Sequence, residues 1–316
     1  MFSFFKKSQP DLEVPEWASF FNQRQYKEFL RAIEKYFYEK NVTYAMEAGH
    51  GLLTAEENDF GFSQMGLLNI AQVCGQTDIS FYQRVVNEHF DLMVRTYAFN
   101  KAFGEVKQDY GKIKEYIGVR LYPDDYYAQT GKENTVGKDF AGNIYAMLVY
   151  DTEESIISVK PEDVEKWGKS FDEIFETGVK NIWDKYGVNL SEDEVEGSDI
   201  WIAQGEHFFT PNIAFDTETL EDLAGPGGLL VGLPNRHAAL LYAINDIGAT
   251  NFINSLIPLV YGMYNQGPGS LSDNIFWYKD GHFENLPYKV EDGTIVLSPP
   301  ESFIEMLDAL PSAEEE

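Results

Sequence analysis

Apolar side chains recur every three or four residues in two stretches near the start of the chain, and this periodicity predicts two amphipathic helices. The first helix is expected at about residues 17–40 and the second at about residues 77–99. Between them, short apolar runs beside glycines predict strands at residues 42–47, 51–54, 60–62 and 67–73. The pattern therefore predicts a helix–strands–helix domain over residues 16–105, behind a flexible segment of residues 1–15.

After a linker rich in glycine and lysine at residues 101–116, shorter apolar runs predominate and predict strands joined by turns. Ser170, followed by a glutamate three positions later, is typical of a helix start, and Gly187 suits the end of that helix. Polar stretches at residues 124–142 and 192–199 predict an exposed loop and an acidic linker. The expected strands are residues 117–123, 144–150, 200–204, 207–210 and 229–233.

Two Asp-Gly pairs, Asp280-Gly281 and Asp292-Gly293, lie between β-prone runs and predict hairpins. Hairpins together with segregated helices favour an α+β fold, with antiparallel sheets, helices packed on one face, and two loosely similar halves. The second half is expected to form an α+β domain over residues 117–305, followed by an acidic tail at residues 306–316. No fixed-period repeat is visible, which argues against a solenoid.

The charge of the chain narrows its possible functions. The 316 residues include 52 acidic and 24 basic side chains, a net charge of −28, while 44% of the residues are hydrophobic, enough for a folded core. This excess of carboxylates argues against nucleic-acid binding, which needs clustered Lys and Arg. It favours a partner protein with a basic surface, because opposite charge steers association.

The expected location is the cytoplasm, without membrane association. The apolar run near Met1 is shorter than a signal-peptide core of about 7–15 residues. No later stretch approaches the roughly 18 apolar residues of a membrane span. The single cysteine, Cys74, excludes an intrachain disulfide and a cysteine-ligated metal site, and its place at the end of an apolar run predicts burial.

Six segments, taken in their order and spacing, resemble a group of uncharacterised bacterial proteins distantly similar to the YtpQ-like domain of unknown function. Two of them carry the most distinctive motifs, Leu-Pro-Asn-Arg-His at residues 233–237 and Phe-Trp-Tyr-Lys-Asp-Gly at residues 276–281. The resemblance implies an α+β cytoplasmic protein and no established activity. The segments are residues 68–78, 88–91, 119–123, 167–174, 230–241 and 267–281.

Residues 225–237 are the best candidate for ligand chemistry. A glycine-rich turn precedes a predicted strand, and Asn235, Arg236 and His237 follow, before a segment at residues 238–244 that is expected to be helical. Backbone N–H groups and Arg236 would there surround an anion. The alternative is structural: the glycines shape the start of the strand, Asn235 caps the helix, and Arg236 pairs with a surplus carboxylate.

No metal site and no cofactor are predicted. A run of glutamates at residues 192–196 is superficially similar to a calcium loop, but Ala203 occupies the position of the closing glutamate. The five histidines are dispersed, and no two have the spacing that places a pair of ligands on one helix face. They are His50, His89, His207, His237 and His282.

Phe276, Trp277 and Tyr278 form the densest aromatic cluster. On a strand, Phe276 and Tyr278 share one face and Trp277 lies on the other. A sheet core accounts for one face, and the second must be covered by a helix, a second domain or a partner. Because aromatic residues are enriched at interfaces, these three residues are the candidate partner surface.

These features support two hypotheses. The preferred one is a non-enzymatic protein-binding or adaptor module, immunity-like or chaperone-like, that binds a basic protein, because the charge is large and no catalytic signature is assembled. The alternative is a binder of a small anion, or a hydrolase, at residues 225–237, where Arg236 orients the anion and His237 acts as the base. Neither hypothesis specifies an oligomeric state.

Overall fold

The structure is a computed structural model that describes residues 13–55, 59, 61, 63–153, 155–266, 269–291 and 294–312, without the side chains of residues 127, 129 and 132. The chain divides into two compact units, Met1–Val106 and Lys107–Glu316. Helices and antiparallel sheets confirm the predicted α+β fold. Each unit is described by itself.

The described part of the first unit combines α-helices with a small antiparallel sheet. The helices are α1 (Gln23–Glu39), α2 (Leu68–Gly75) and α3 (Tyr82–Val106). The strands are β1 (Tyr44–Glu47), β2 (Leu52–Ala55) and β3 (Gln64–Gly66), which pair in the order β1-β2-β3.

Helix α1 begins at residue 23 rather than near 17, because Asn22 is its cap. The Asn22 side chain accepts a hydrogen bond from the backbone N–H of Gln25 at 2.9 Å, and the Gln25 side chain accepts one from the backbone N–H of Asn22 at 3.0 Å. This reciprocal pair is a capping box. The buried side chains of α1 are Tyr26, Phe29, Ala32, Ile33, Tyr36 and Phe37.

Two predictions for the first unit are wrong. Residues 67–73, expected to form a strand, lie mostly in α2, where Ile70, Ala71 and Cys74 share the buried face; an apolar run this short fits either structure. The linker expected at residues 101–116 is largely helical, since α3 continues to Val106. The flexible segment predicted at residues 1–15 lies almost entirely outside the described residues.

The second unit alternates helices and strands along the chain. Its helices are α4 (Tyr110–Ile113), α5 (Asp124–Thr130), α6 (Pro161–Trp167), α7 (Phe171–Tyr186), α8 (Thr217–Leu223), α9 (Ala249–Gln266) and α10 (Glu301–Asp308). Its strands are β4 (Ile117–Pro123), β5 (Gly137–Ala141), β6 (Ile144–Asp151), β7 (Ile156–Ser158), β8 (Asn189–Val195), β9 (Ser198–Gln204), β10 (Leu229–Asn235), β11 (Ala238–Ala243), β12 (Ile275–Lys279), β13 (His282–Leu286), β14 (Tyr288–Glu291) and β15 (Thr294–Leu297).

These strands form sheets unlike the one in the first unit, so the expected likeness between two halves does not extend to sheet order. The larger sheet has the order β13-β12-β10-β11-β9-β8. A second sheet has the order β4-β6-β5, with β7 also paired to β6, and β14 pairs with β15. Strand β6 is buried along its whole length.

Several local predictions in this unit are confirmed. Helix α7 begins after Ser170, whose hydroxyl accepts a hydrogen bond from the N–H of Glu173 at 3.2 Å, and Gly187 follows the helix with φ of 60°. Asp280 and Gly281, with φ of 49° and 79°, turn the chain between β12 and β13. The Asp292-Gly293 pair lies outside the described residues, although β14 and β15 on either side of it pair antiparallel.

Four other predictions in this unit are wrong. The acidic linker at residues 192–199 is part of the β8–β9 hairpin, whose turn at Glu196 and Gly197 has positive φ. The loop at residues 124–142 contains α5 and β5. Residues 238–244 are mainly strand β11, and residues 207–210 lead into a 3-10 helix, Thr210–Phe215, instead of forming a strand.

The aromatic residues of β12 are buried from both sides. Trp277 packs edge to face against Phe303 of α10, with ring centroids 5.2 Å apart, and the Tyr278 hydroxyl donates to Glu221 of α8 at 2.7 Å. Phe276 has no exposed surface. Both sides of β12 are therefore covered within the protein, and Phe276, Trp277 and Tyr278 offer no partner surface.

None of the described helices combines the length and the apolar character that crossing a membrane requires. Helix α10 extends past the domain boundary expected at residue 305, and Met306 in its last turn is buried. Residues 313–316 of the predicted acidic tail lie outside the described residues.

Gly178 allows α7 to pack closely on β4. A Cβ at Gly178 would lie 3.0 Å from the carbonyl carbon of Gly118 and 3.1 Å from Cγ2 of Val119. Because these neighbours belong to a strand of the core, they have little room to move. The short distance between α7 and β4 therefore depends on the absence of a side chain at Gly178.

We expect Gly178→Ala to lower the free energy of unfolding by about 1–3 kcal/mol, through overpacking. The matched control is Gly262→Ala in α9, where an added Cβ has no atom within 4 Å. There the better helix propensity of alanine should stabilise by up to about 1 kcal/mol. Urea unfolding followed by tryptophan fluorescence measures both changes, and equal midpoints for the two variants would contradict the packing argument.

Candidate functional site

Asn235, Arg236 and His237 form the turn between β10 and β11. Asn235 is buried, and its side-chain oxygen accepts a hydrogen bond from the N–H of His237 at 3.0 Å. The backbone N–H of Arg236 donates to the carbonyl of Gly269 at 3.0 Å. Asn235 therefore stabilises a hairpin turn. The sequence-based alternative, in which Asn235 caps a helix, is wrong.

Gly269 leaves space for the stem of Arg236. Its φ is 69°, and a Cβ at this position would lie 2.5 Å from Cδ and 2.6 Å from Nε of Arg236. Only glycine adopts this backbone conformation without strain and also leaves the stem undisturbed. The Gly269 backbone thus fixes the direction in which Arg236 leaves the turn.

The imidazole of His237 is hydrogen-bonded at both nitrogens. Arg236 Nε donates to His237 Nε2 at 3.1 Å, and His237 Nδ1 lies 3.0 Å from the carbonyl oxygen of Gly205. A neutral ring with its proton on Nδ1 satisfies both contacts. Since neither nitrogen is left to accept a proton from a substrate, this geometry does not support the predicted role of His237 as a general base.

Arg120, on β4, lies beside Arg236 in space. The guanidinium carbon of Arg236 is 4.2 Å from the ring centroid of Phe208, and that of Arg120 is 5.3 Å from the same centroid. The Arg120 guanidinium also lies 4.6 Å from the ring centroid of Tyr122. Burial first, and then the nearby charge of Arg236, lower the pKa of Arg120. We call Arg120 and Arg236 the arginine pair.

The arginine pair has no carboxylate partner among the residues that the structure describes. Neither guanidinium forms a salt bridge there, and Nε of Arg120 is buried without a hydrogen-bond partner in the same set. This corrects the expectation that Arg236 pairs with a surplus carboxylate. Arg120 and Arg236 are the two arginines of the second unit.

His207 adds a second imidazole beside His237. Its Nδ1 accepts a hydrogen bond from the N–H of Phe209 at 3.2 Å, and its ring stacks on Tyr186 with centroids 4.7 Å apart. Burial first, and then His237, lower the pKa of His207. His207 is therefore favoured in its neutral form.

The carboxylate of Asp151 near this cluster is engaged elsewhere. Asp151 accepts hydrogen bonds from Lys185 Nζ at 2.5 Å and from the Tyr186 hydroxyl at 2.9 Å. Its side chain is 6% exposed, whereas that of Lys185 is 47% exposed. Asp151 thus neutralises Lys185 and supports the ring on which His207 stacks, without pairing with either arginine.

Aromatic rings complete the site. Tyr122 stacks on Tyr126 with centroids 4.6 Å apart, and Phe208, 38% exposed, lies edge to face with His237. Guanidinium groups bind carboxylate and phosphate in a planar, bidentate manner. The combination of two guanidinium groups and exposed aromatic surface is suited to an anion that has a flat apolar part.

Sequence reasoning identified Asn235, Arg236 and His237 but missed Arg120, Phe208 and the role of His207. Arg120 lies in an apolar strand, where a single polar residue gives no local signal. Among the described residues, no three His, Cys, Asp or Glu side chains are arranged to hold a metal ion.

Comparison of the chain with protein families, with curated proteins and with solved structures found no match in any of the three. The resemblance to the YtpQ-like group therefore stays a prediction.

Cys74 is buried in the core of the first unit, in agreement with its expected structural role. Burial raises the pKa of the Cys74 thiol to about 12, against about 8.5 for an exposed cysteine. The unfolded chain would ionise at lower pH than the folded chain. Stability is therefore expected to fall as the pH rises above about 8.5.

We expect the Cys74 thiol of the folded protein to react with Ellman's reagent at pH 8 at least about a hundredfold more slowly than in guanidinium chloride, because the thiolate is the reactive form. The denatured protein is the control, since it contains the same thiol. Equal rates in the two states would show an accessible, ionisable thiol and contradict the structural role.

Proposed function

We propose that the second unit binds a small anionic ligand at the arginine pair. The single observation that carries this proposal is that two neighbouring guanidinium groups lack a carboxylate partner in the described residues, in a chain with 52 acidic side chains. Two like charges held close together repel each other. A bound anion would relieve that repulsion and satisfy both groups.

The expected ligand carries a carboxylate or phosphate group beside a flat apolar part. The charged group suits Arg120 and Arg236, and each charge-assisted hydrogen bond contributes about 1.5–3 kcal/mol. The apolar part would lie against Phe208, whose ring is 38% exposed. These contacts define a ligand class and leave its identity open.

The hydrogen bonds of His237 favour binding over hydrolysis. A hydrolase at this turn would need a free base, and both nitrogens of His237 already have partners. Serine and cysteine nucleophiles are not among the residues that form the cluster. The site is therefore proposed as a recognition site rather than a reaction centre, in a protein expected in the cytoplasm.

We expect Arg120→Gln and Arg236→Gln each to weaken binding of benzoate or inorganic phosphate at least tenfold, because one charge-assisted contact is lost. Arg84→Gln is the matched control: Arg84 lies on α3 in the first unit, is 65% exposed and pairs with Glu88. Isothermal titration calorimetry at fixed ionic strength gives the dissociation constants. Equal affinities for all three variants would refute the site.

A protein partner is the second candidate, favoured by one feature of the fold. Strand β8 is at the edge of the larger sheet, and Glu192, Asp193 and Glu194 on it are exposed. Together with the net charge of −28, this edge would attract a basic protein, immunity-like or chaperone-like adaptors being examples. The residues of the earlier aromatic candidate surface play no part, since they are buried.

We expect a basic protein captured from a cell extract at low salt to be released at high salt, because screening weakens surface attraction. Replacing Glu192, Asp193 and Glu194 by their amides should reduce the captured amount several-fold, whereas the Arg236→Gln variant should capture as much as the unmodified protein. Capture of nothing at either salt concentration would count against the adaptor hypothesis.

A further inference from the structure

A pocket of about 380 Å³ lies between α7 and the 3-10 helix Thr210–Phe215. Its volume falls in the range of about 300–1,000 Å³ that is usual for small-molecule sites. Phe175, Trp183 and Phe215 form its walls, and the rings of Phe175 and Phe215 meet edge to face at 5.6 Å. Trp183 is 39% exposed, so the opening of the pocket has an aromatic rim.

The ionisable groups around this pocket leave a negative balance. Glu176 and Asp216 both line it. Lys180 lines it too, but its ammonium group forms an ion pair with Asp184 on the same helix. The charge of Lys180 is therefore neutralised from outside the pocket. Lys138, which lies over Phe175, offsets one of the two carboxylates, so a net charge of one carboxylate is left to act on a ligand.

Two oxygen acceptors at the pocket lack hydrogen-bond partners in the described part of the chain. They are Oδ1 of Asn212 and Oδ2 of Asp216, and both are buried. The Asn212 side-chain amide donates to the carbonyl of Val119 at 2.7 Å, which fixes the orientation of Oδ1. Oδ1 of Asp216 accepts from the N–H of Thr219 at 3.3 Å. Neither oxygen is exposed to solvent, so a donor group reaches them only if the pocket wall adjusts; in return it satisfies acceptors that are costly to bury unpaired.

The aromatic walls also suit a cation. A positive group is attracted to the face of an aromatic ring within about 6 Å of its centroid. Lys138 already lies in this way over Phe175, with Nζ 4.1 Å from the ring centroid. Trp183, the ring type that binds cations best, is exposed at the rim.

We propose that this pocket binds an organic ammonium compound with an apolar body. The ammonium group would face Asp216 and Asn212, Glu176 would strengthen the negative field, and the apolar body would lie between Phe175 and Trp183. The site is separate in charge and in residues from the arginine pair, so it goes beyond the anion-binding function.

The test uses 2-phenylethylammonium as the probe, with 2-phenylethanol and phenylacetate as its neutral and anionic counterparts. Titration calorimetry and ligand-observed NMR on the full chain should show the ammonium compound binding at least tenfold more tightly than the alcohol, and no binding of phenylacetate at this pocket. Equal affinity for the ammonium compound and the alcohol would overturn the proposal. Failure of the ammonium compound to bind at millimolar concentration would overturn it too.

Asp216→Asn is the sharpest variant, because asparagine keeps an oxygen acceptor for the cap of α8 and removes only the charge. We expect it to weaken binding of 2-phenylethylammonium at least tenfold. Asp222→Asn is the matched control, since Asp222 is an exposed carboxylate of α8 outside the pocket. Trp183→Leu should weaken binding several-fold by removing the aromatic rim.

Unchanged affinity in both Asp216→Asn and Trp183→Leu would place the bound amine elsewhere and contradict the proposal. An equal loss in Asp216→Asn and Asp222→Asn would show a general effect of net charge and would contradict it as well. Phosphate or benzoate binding is measured on the same Asp216→Asn sample. Its retention separates failure of this proposal from failure of the arginine-pair site.

Discussion

The arrangement of the second unit depends on side chains that hydrogen-bond to the backbone carbonyl groups along one edge of β4. Strand β4 pairs with β6 on one side, and its other side would expose backbone carbonyl groups inside the protein. Asn212 donates to the carbonyl of Val119 at 2.7 Å, and Asn181 of α7 donates to the carbonyl of Ile117 at 2.9 Å. Buried backbone acceptors need such partners. These two amides therefore join helix α7 and the 3-10 helix to the strand that carries Arg120.

The same contacts to β4 explain why two sites of opposite charge, the arginine pair and the aromatic pocket, share one segment of the chain. The segment from Gly205 to Asp216 crosses from the arginine pair, where it contributes His207 and Phe208, to the aromatic pocket, where it contributes Phe215 and Asp216. Asn212 serves both regions, since its amide nitrogen donates to β4 while the residue also lines the pocket. Fixing this segment thus positions Phe208 against both guanidinium groups and Asp216 at the pocket.

How much of this was predictable from sequence depends on whether the signal is local. The serine before α7 and the Asp280-Gly281 turn act within a few residues, and both predictions were confirmed. Residues 67–73 and residues 238–244 were assigned wrongly, because a short apolar run suits a strand and a buried helix equally. Arg236 and His237 could be identified as candidate site residues, because they follow one another in a polar turn. Arg120 and Phe208 could not, because their meeting depends on pairing between strands and segments far apart in sequence.

The central claim is that Arg120 and Arg236 act together as the receptor for an anion. The most direct measurement follows the arginine Nε–H signals in a ¹H–¹⁵N correlation spectrum while inorganic phosphate is added at constant ionic strength. We predict that the Arg120 and Arg236 signals move together and saturate at one concentration, while those of the four arginines of the first unit stay in place. Equal, unsaturated movement of all six signals would contradict it.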